Sequence, residues 1–159
     1  MPTLKEVLDA YNAIKDVNIT ASVKFNYGLA KLKKQLEKEA DTFKEAIKPE
    51  PKFEEYENKR NSLILDYAKR DADGKVVQIN DNAVELDEDK KTEFYEKLAK
   101  LDKEYEEVIK KRKQQAEEIN KLLESEIQID LYKIKFEDLP EEIETRLMDA
   151  LITLDVISD

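Results

Sequence analysis

Two long, charge-coated stretches, residues 22–70 and 88–125, carry apolar side chains at coiled-coil spacing, and a short piece with turn and strand chemistry, residues 71–87, lies between them. An apolar stripe on a charged helix has to be covered by another apolar face. This pattern predicts a mainly α fold with a small β element. It is a helical, coiled-coil-like hairpin with a short antiparallel β-arm, followed by a C-terminal strand plus helix. Residues 1–159 read as a single elongated α-rich domain.

The elements follow from local signals. Thr3-Leu4-Lys5-Glu6 is a capping box, and Leu4, Val7, Leu8, Tyr11 and Ile14 continue at helical spacing, giving a helix over about 3–15. Thr20 or Ser22 caps a second helix over about 22–48, striped by Phe25, Leu29, Leu32, Leu36, Ala40, Phe43 and Ile47. Pro49-Glu50-Pro51 breaks it. A third helix, about 52–70, is striped by Phe53, Tyr56, Leu63 and Tyr67, with Arg60 snorkelling out of the seam.

Gly74 supplies the positive φ that ends this run. Strands are expected at 75–79 and 83–87 around Asn80-Asp81-Asn82. The fourth helix, about 88–125, is capped by Asp87-Glu88-Asp89 and striped by Phe94, Leu98, Leu101, Tyr105 and Val108. Its middle, Lys110 to Gln115, is polar on every side. A straight helix over 88–125 would span about 57 Å, so a break there is expected, folding strand 127–135 back onto the arm as a third strand. That strand alternates through Ile127, Ile129 and Leu131, with a bulge near Tyr132-Lys133. Asp138-Leu139-Pro140-Glu141 starts a last helix, about 139–152. The stripe of the second helix is expected to face that of the fourth.

Composition narrows function mainly by exclusion. The chain has no cysteine and no histidine, which removes thiol nucleophiles, thiolate zinc sites, histidine bases and histidine triads. Asp71, Asp73 and Gly74 lack the spacing of a calcium loop. The pairs Glu54-Glu55, Glu106-Glu107 and Glu117-Glu118 diverge on a helix and have no histidine to complete a di-metal site. No catalytic, cofactor-binding or metal-ligating residue is assigned, and no cofactor is expected. The net charge of −10 disfavours nucleic acid. A DNA mimic would need a nearly pure acidic face, whereas these helices alternate sign. No stretch has the length of a membrane span, and a soluble protein of the bacterial host cytoplasm, or one associated with the virion, is expected.

The order of features resembles a family of small tailed-phage and prophage proteins of the DUF1617-like kind. The resemblance rests on Leu8 to Ile14, Ala21 to Lys31, Phe53 to Ala68, Lys69-Arg70-Asp71-Ala72-Asp73-Gly74-Lys75, Phe94 to Leu101 and Glu126 to Asp130. Around residues 102–118 the chain departs from the pattern. The resemblance implies a phage or mobile-element origin and a binding role, and brings no catalytic residues.

These readings lead to a non-enzymatic, phage-encoded protein-interaction module. Its job is virion or tail assembly, or binding and inhibiting a host defence protein. A prefoldin-like holdase is the alternative, and a DNA mimic or an enzyme stands behind both. The expected partner is another protein or a second copy. Its contact residues are Val76, Val77, Ile79, Val84 and Leu86 on the arm, with Ile119, Leu122 and Leu123 beyond the polar gap of the fourth helix.

Overall fold

Thr3 opens the first helix through its capping box. Its hydroxyl accepts from the Glu6 backbone N–H at 3.2 Å, while the Glu6 carboxylate accepts from the Thr3 backbone N–H at 2.8 Å, satisfying two otherwise orphaned donors. The computed structural model describes all of residues 1–159. Its helices are α1 (Leu4–Ile14), α2 (Val23–Ala46), α3 (Pro51–Tyr67), α4 (Lys91–Glu104), α5 (Glu106–Leu123) and α6 (Thr145–Thr153). Its strands are β1 (Gln78–Asn80), β2 (Ala83–Val84), β3 (Ile134–Lys135) and β4 (Ile157–Ser158). The fold is mainly α with small β elements, as the patterning predicts. The chain divides into two compact units, in place of the single domain read from the sequence. One is Met1–Lys48 with Glu117–Asp159, the other Pro49–Ala116.

In the first unit, Ser22 caps α2 by accepting from the Phe25 N–H. Phe25, Leu29, Leu32 and Leu36 lie in a core with Val7, Ala10 and Ile14 of α1, Leu147 and Leu151 of α6, and Leu131, Ile134, Leu154 and Val156. The cover of the α2 stripe is therefore α1, α6 and the C-terminal segment, not the stripe of Phe94 to Tyr105. The short terminal helices carry enough apolar surface to close this core.

Of the strand expected over 127–135 only Ile134–Lys135 forms, because the residues upstream have no neighbouring strand to pair with; Ile127 and Ile129 are half-buried and Leu131 and Ile134 buried, with the expected change of phase at Tyr132-Lys133. This strand does not join the arm. Its only sheet partner is β4, in parallel, through Ile134↔Ile157 and Lys135↔Ser158. The Gln35 side chain serves the backbone upstream of β3, donating to the Asp130 carbonyl (2.9 Å) and accepting from the Tyr132 N–H (2.8 Å). The last helix starts at Thr145, later than expected, because Leu139 and Ile143 pack against the core from a non-helical lead-in. It ends in a Schellman motif. The Val156 N–H donates to the Leu151 carbonyl and the Asp155 N–H to that of Ile152, with Asp155 at φ 52°.

In the second unit, α3 and α4 are antiparallel. Tyr67 packs on Phe94 (centroids 5.9 Å apart) and Tyr56 on Tyr105 (5.7 Å). The predicted break within Lys110 to Gln115 is not there, since α5 runs unbroken through it. Lysine, arginine and glutamine are good helix formers, and the Arg112 guanidinium lies over the Phe53 ring at 5.7 Å. The interruption comes earlier, at Tyr105, between α4 and α5.

The arm finds its third segment immediately after α3. The Lys69 N–H donates to Glu85, the Glu85 N–H to Val77 and the Val77 N–H to Lys69, each closing on a backbone carbonyl at 2.8–2.9 Å. Three extended segments thus close on one another at the root of the arm, and β1 and β2 pair beyond it. Gly74 takes φ 77° at the first turn, and the Asn80 side chain accepts from the Asn82 N–H at the second. No helix is long and apolar enough to cross a membrane.

Candidate interaction surface

The residues picked from the sequence fall into two sets in different units. Val76, Val77, Ile79, Val84 and Leu86 belong to the second unit, and Ile119, Leu122 and Leu123 to the first. On the arm, Ile79 is 67% exposed, while Val76, Val77, Val84 and Leu86 are half-buried. In the first unit, Leu122 is exposed, and Ile119 and Leu123 are half-buried. An open strand edge does not explain the arm's root, because the Lys69–Glu85–Val77 ring already pairs those backbone groups.

The arm does form one wall of a groove. Val84 and Leu86 line a cavity of about 500 Å³ with Ile64 and Leu65 of α3 and Phe94 of α4. Arg60 also lines it, exposed and in no ion pair. Leu65 is 50% exposed. Leu65 lies off the stripe of Phe53, Tyr56, Leu63 and Tyr67. That position was the available signal, since an apolar side chain off the buried stripe has no core to enter. Arg60 leaves the seam as expected, exposed and among the residues that line this groove.

A larger groove, about 770 Å³, follows α4 into α5, lined by Tyr56, Asp102, Lys103, Glu106, Ile109 and Lys113 among others. Its lining alternates sign, and the Tyr56 hydroxyl donates to Asp102 at 2.7 Å. Beside it, the Tyr105 hydroxyl donates to Glu55 and accepts from Lys59, both at 2.6 Å. The Tyr105 hydroxyl and the Glu55 carboxylate hold the Lys59 ammonium well above the usual lysine range. Glu55 is held below the usual carboxylate range, first by the Tyr105 hydroxyl and then by Lys59. Glu93 is lowered in the same way by Tyr67 and Lys97. A lysine fixed as its ammonium and carboxylates fixed as anions are poorly matched to proton transfer near neutral pH. The arrangement ties α3 to α4. No group of three or more acidic side chains is placed to hold a metal ion.

No protein-family model, no curated protein and no solved structure matches this chain.

Proposed function

We propose that the protein is a non-enzymatic interaction module that binds an amphipathic segment of a partner protein in the groove between α3, the β-arm and Phe94. The observation that carries this reading is the lining itself. Ile64, Leu65, Val84, Leu86 and Phe94 offer an apolar floor, and Arg60, exposed and in no ion pair, lines it as well. Such a groove suits apolar anchors flanked by a carboxylate, since a guanidinium takes a carboxylate in bidentate geometry.

The resemblance to small tailed-phage proteins supports a phage origin. With it come the two jobs of virion or tail assembly, and capture of a host defence protein. A prefoldin-like holdase is the second reading, favoured by antiparallel α3 and α4 joined through a β-arm. It stands second because assembly through the arm calls for free strand edges, and the ring at the arm's root leaves none there.

The test is affinity capture from infected host cells with the wild-type chain and with Leu65→Glu. A partner held by the wild type and lost with the variant supports the groove. Recovery with virion components selects assembly, and recovery of a host protein selects inhibition. Equal capture by both chains would remove the groove from the function.

A further inference from the structure

The groove bounded by α3, the arm and Phe94 holds two side chains that its apolar floor does not account for. Asn61 of α3 and Asn82, at the arm's second turn, both line it. Both are exposed, and neither carboxamide hydrogen-bonds to another part of the chain. The Asn80 side chain already takes the Asn82 backbone N–H, so the turn closes without the Asn82 carboxamide. Arg60 is the one charged residue in the lining, and no acid there answers its guanidinium.

An apolar occupant that fills this groove takes water from both carboxamides, and a polar group that loses water without gaining a partner opposes binding. A carboxamide both donates and accepts, which is the complement of the C=O and N–H of a peptide chain. An α-helix uses those groups internally, except at its ends. An extended segment leaves them free. The arm wall has the matching period. Val84 lies in β2 and Leu86 bridges to Ala68, and both line the groove. Two residues apart on an extended chain, they repeat at about 7 Å, the spacing of side chains i and i+2 on a second extended segment.

We propose that the occupant of the groove is an extended peptide segment. Its apolar side chains stand at alternate positions, a neighbouring carboxylate pairs with Arg60, and its main chain is held by the Asn61 and Asn82 carboxamides. Main-chain hydrogen bonds then fix the register, while the apolar floor reads alternate side chains. This narrows the groove reading, on which it rests, to one class of partner: an extended or unstructured stretch, not a preformed helix.

A displayed library of random linear peptides, selected on the full wild-type chain and counter-selected on Leu65→Glu, tests it. Enrichment of apolar residues at alternate positions beside an Asp or Glu is expected. For a synthetic copy of an enriched peptide, Asn61→Ala and Asn82→Ala, both at exposed sites, are each expected to raise Kd about threefold to tenfold with an unchanged helical spectrum. Enrichment of apolar residues at i, i+3 and i+4 overturns the proposal. So does a Kd unchanged in both asparagine variants. Peptides that bind Leu65→Glu as tightly as the wild type, or a selection without enrichment, contradict instead the groove reading itself.

Discussion

The Tyr105 hydroxyl donates to Glu55 Oε1 at 2.6 Å, and the residue that carries it is the one at which α4 stops. Its ring is buried against Tyr56 while its oxygen also takes the Lys59 ammonium. One side chain therefore ties α3 to the point at which α4 ends.

The pH dependence follows from this bond. Glu55 is held below its ordinary value, so its contribution is present above about pH 4.5 and fades as pH falls through the folded value. Tyr105 is raised, first by its bond to Glu55, so its contribution is present below about pH 10 and fades as pH rises through the folded value. Thermal melts of the wild type and Tyr105→Phe are expected to differ most near neutral pH and to converge at both extremes. A difference independent of pH would refute the bond's role.

Leu32 and Leu98 both lie on predicted stripes, but they are buried differently. Leu32 is fully buried in the first core, and Leu98 is half-buried on α4. Leu32→Ala is expected to cost about 2–5 kcal/mol, with a smaller loss for Leu98→Ala. Denaturant titration measures both, and equal losses would contradict the core described.

Gly28 illustrates close packing on a helix. A Cβ there would meet Ile134 Cγ1 at 3.0 Å and the Tyr132 ring at 3.1 Å. Ile134 is held in the core and cannot withdraw. Gly28→Ala is therefore expected to destabilise by about 1–3 kcal/mol, against the gain that alanine normally brings within a helix. A higher melting temperature would show that β3 yields.

Asp155 sits in the left-handed region at φ 52°. That conformation costs a non-glycine residue about 1–2 kcal/mol, and glycine's greater freedom in the unfolded chain offsets part of the relief. Its contacts with Lys133 lie at the surface, where ion pairs contribute little. Asp155→Gly is expected to raise stability by roughly 0.5–1 kcal/mol, seen as a shifted denaturant midpoint. A loss would mean that the contact of the Asp155 carboxylate with Lys133 outweighs the backbone strain.

Periodicity and capping chemistry made the helices legible, from the Thr3 box to Pro51 at the head of α3. The partners of each stripe were not legible, because a stripe states only that it is covered. The polar run Lys110 to Gln115 reads as a failed seam, yet helix propensity and the Arg112–Phe53 contact carry α5 through it. The arm's third segment is not legible in the sequence because Lys69 and Arg70 look like the end of a charged helix. Their backbone, not their side chains, makes the pairing. Val84 and Leu86 were recognisable as arm residues, but the other groove walls come from α3 and α4. Leu65, Val23 and Tyr27 share one readable mark, an apolar side chain off the buried stripe.

A photo-crosslinking side chain placed at Leu65, in the groove, and another at Lys38, exposed on α2, give the most direct measurement in infected host cells. The groove reading predicts a discrete protein adduct from position 65, absent from position 38 and abolished when Arg60→Glu is added. The same adducts from both positions, or an adduct at 65 indifferent to Arg60→Glu, would contradict it.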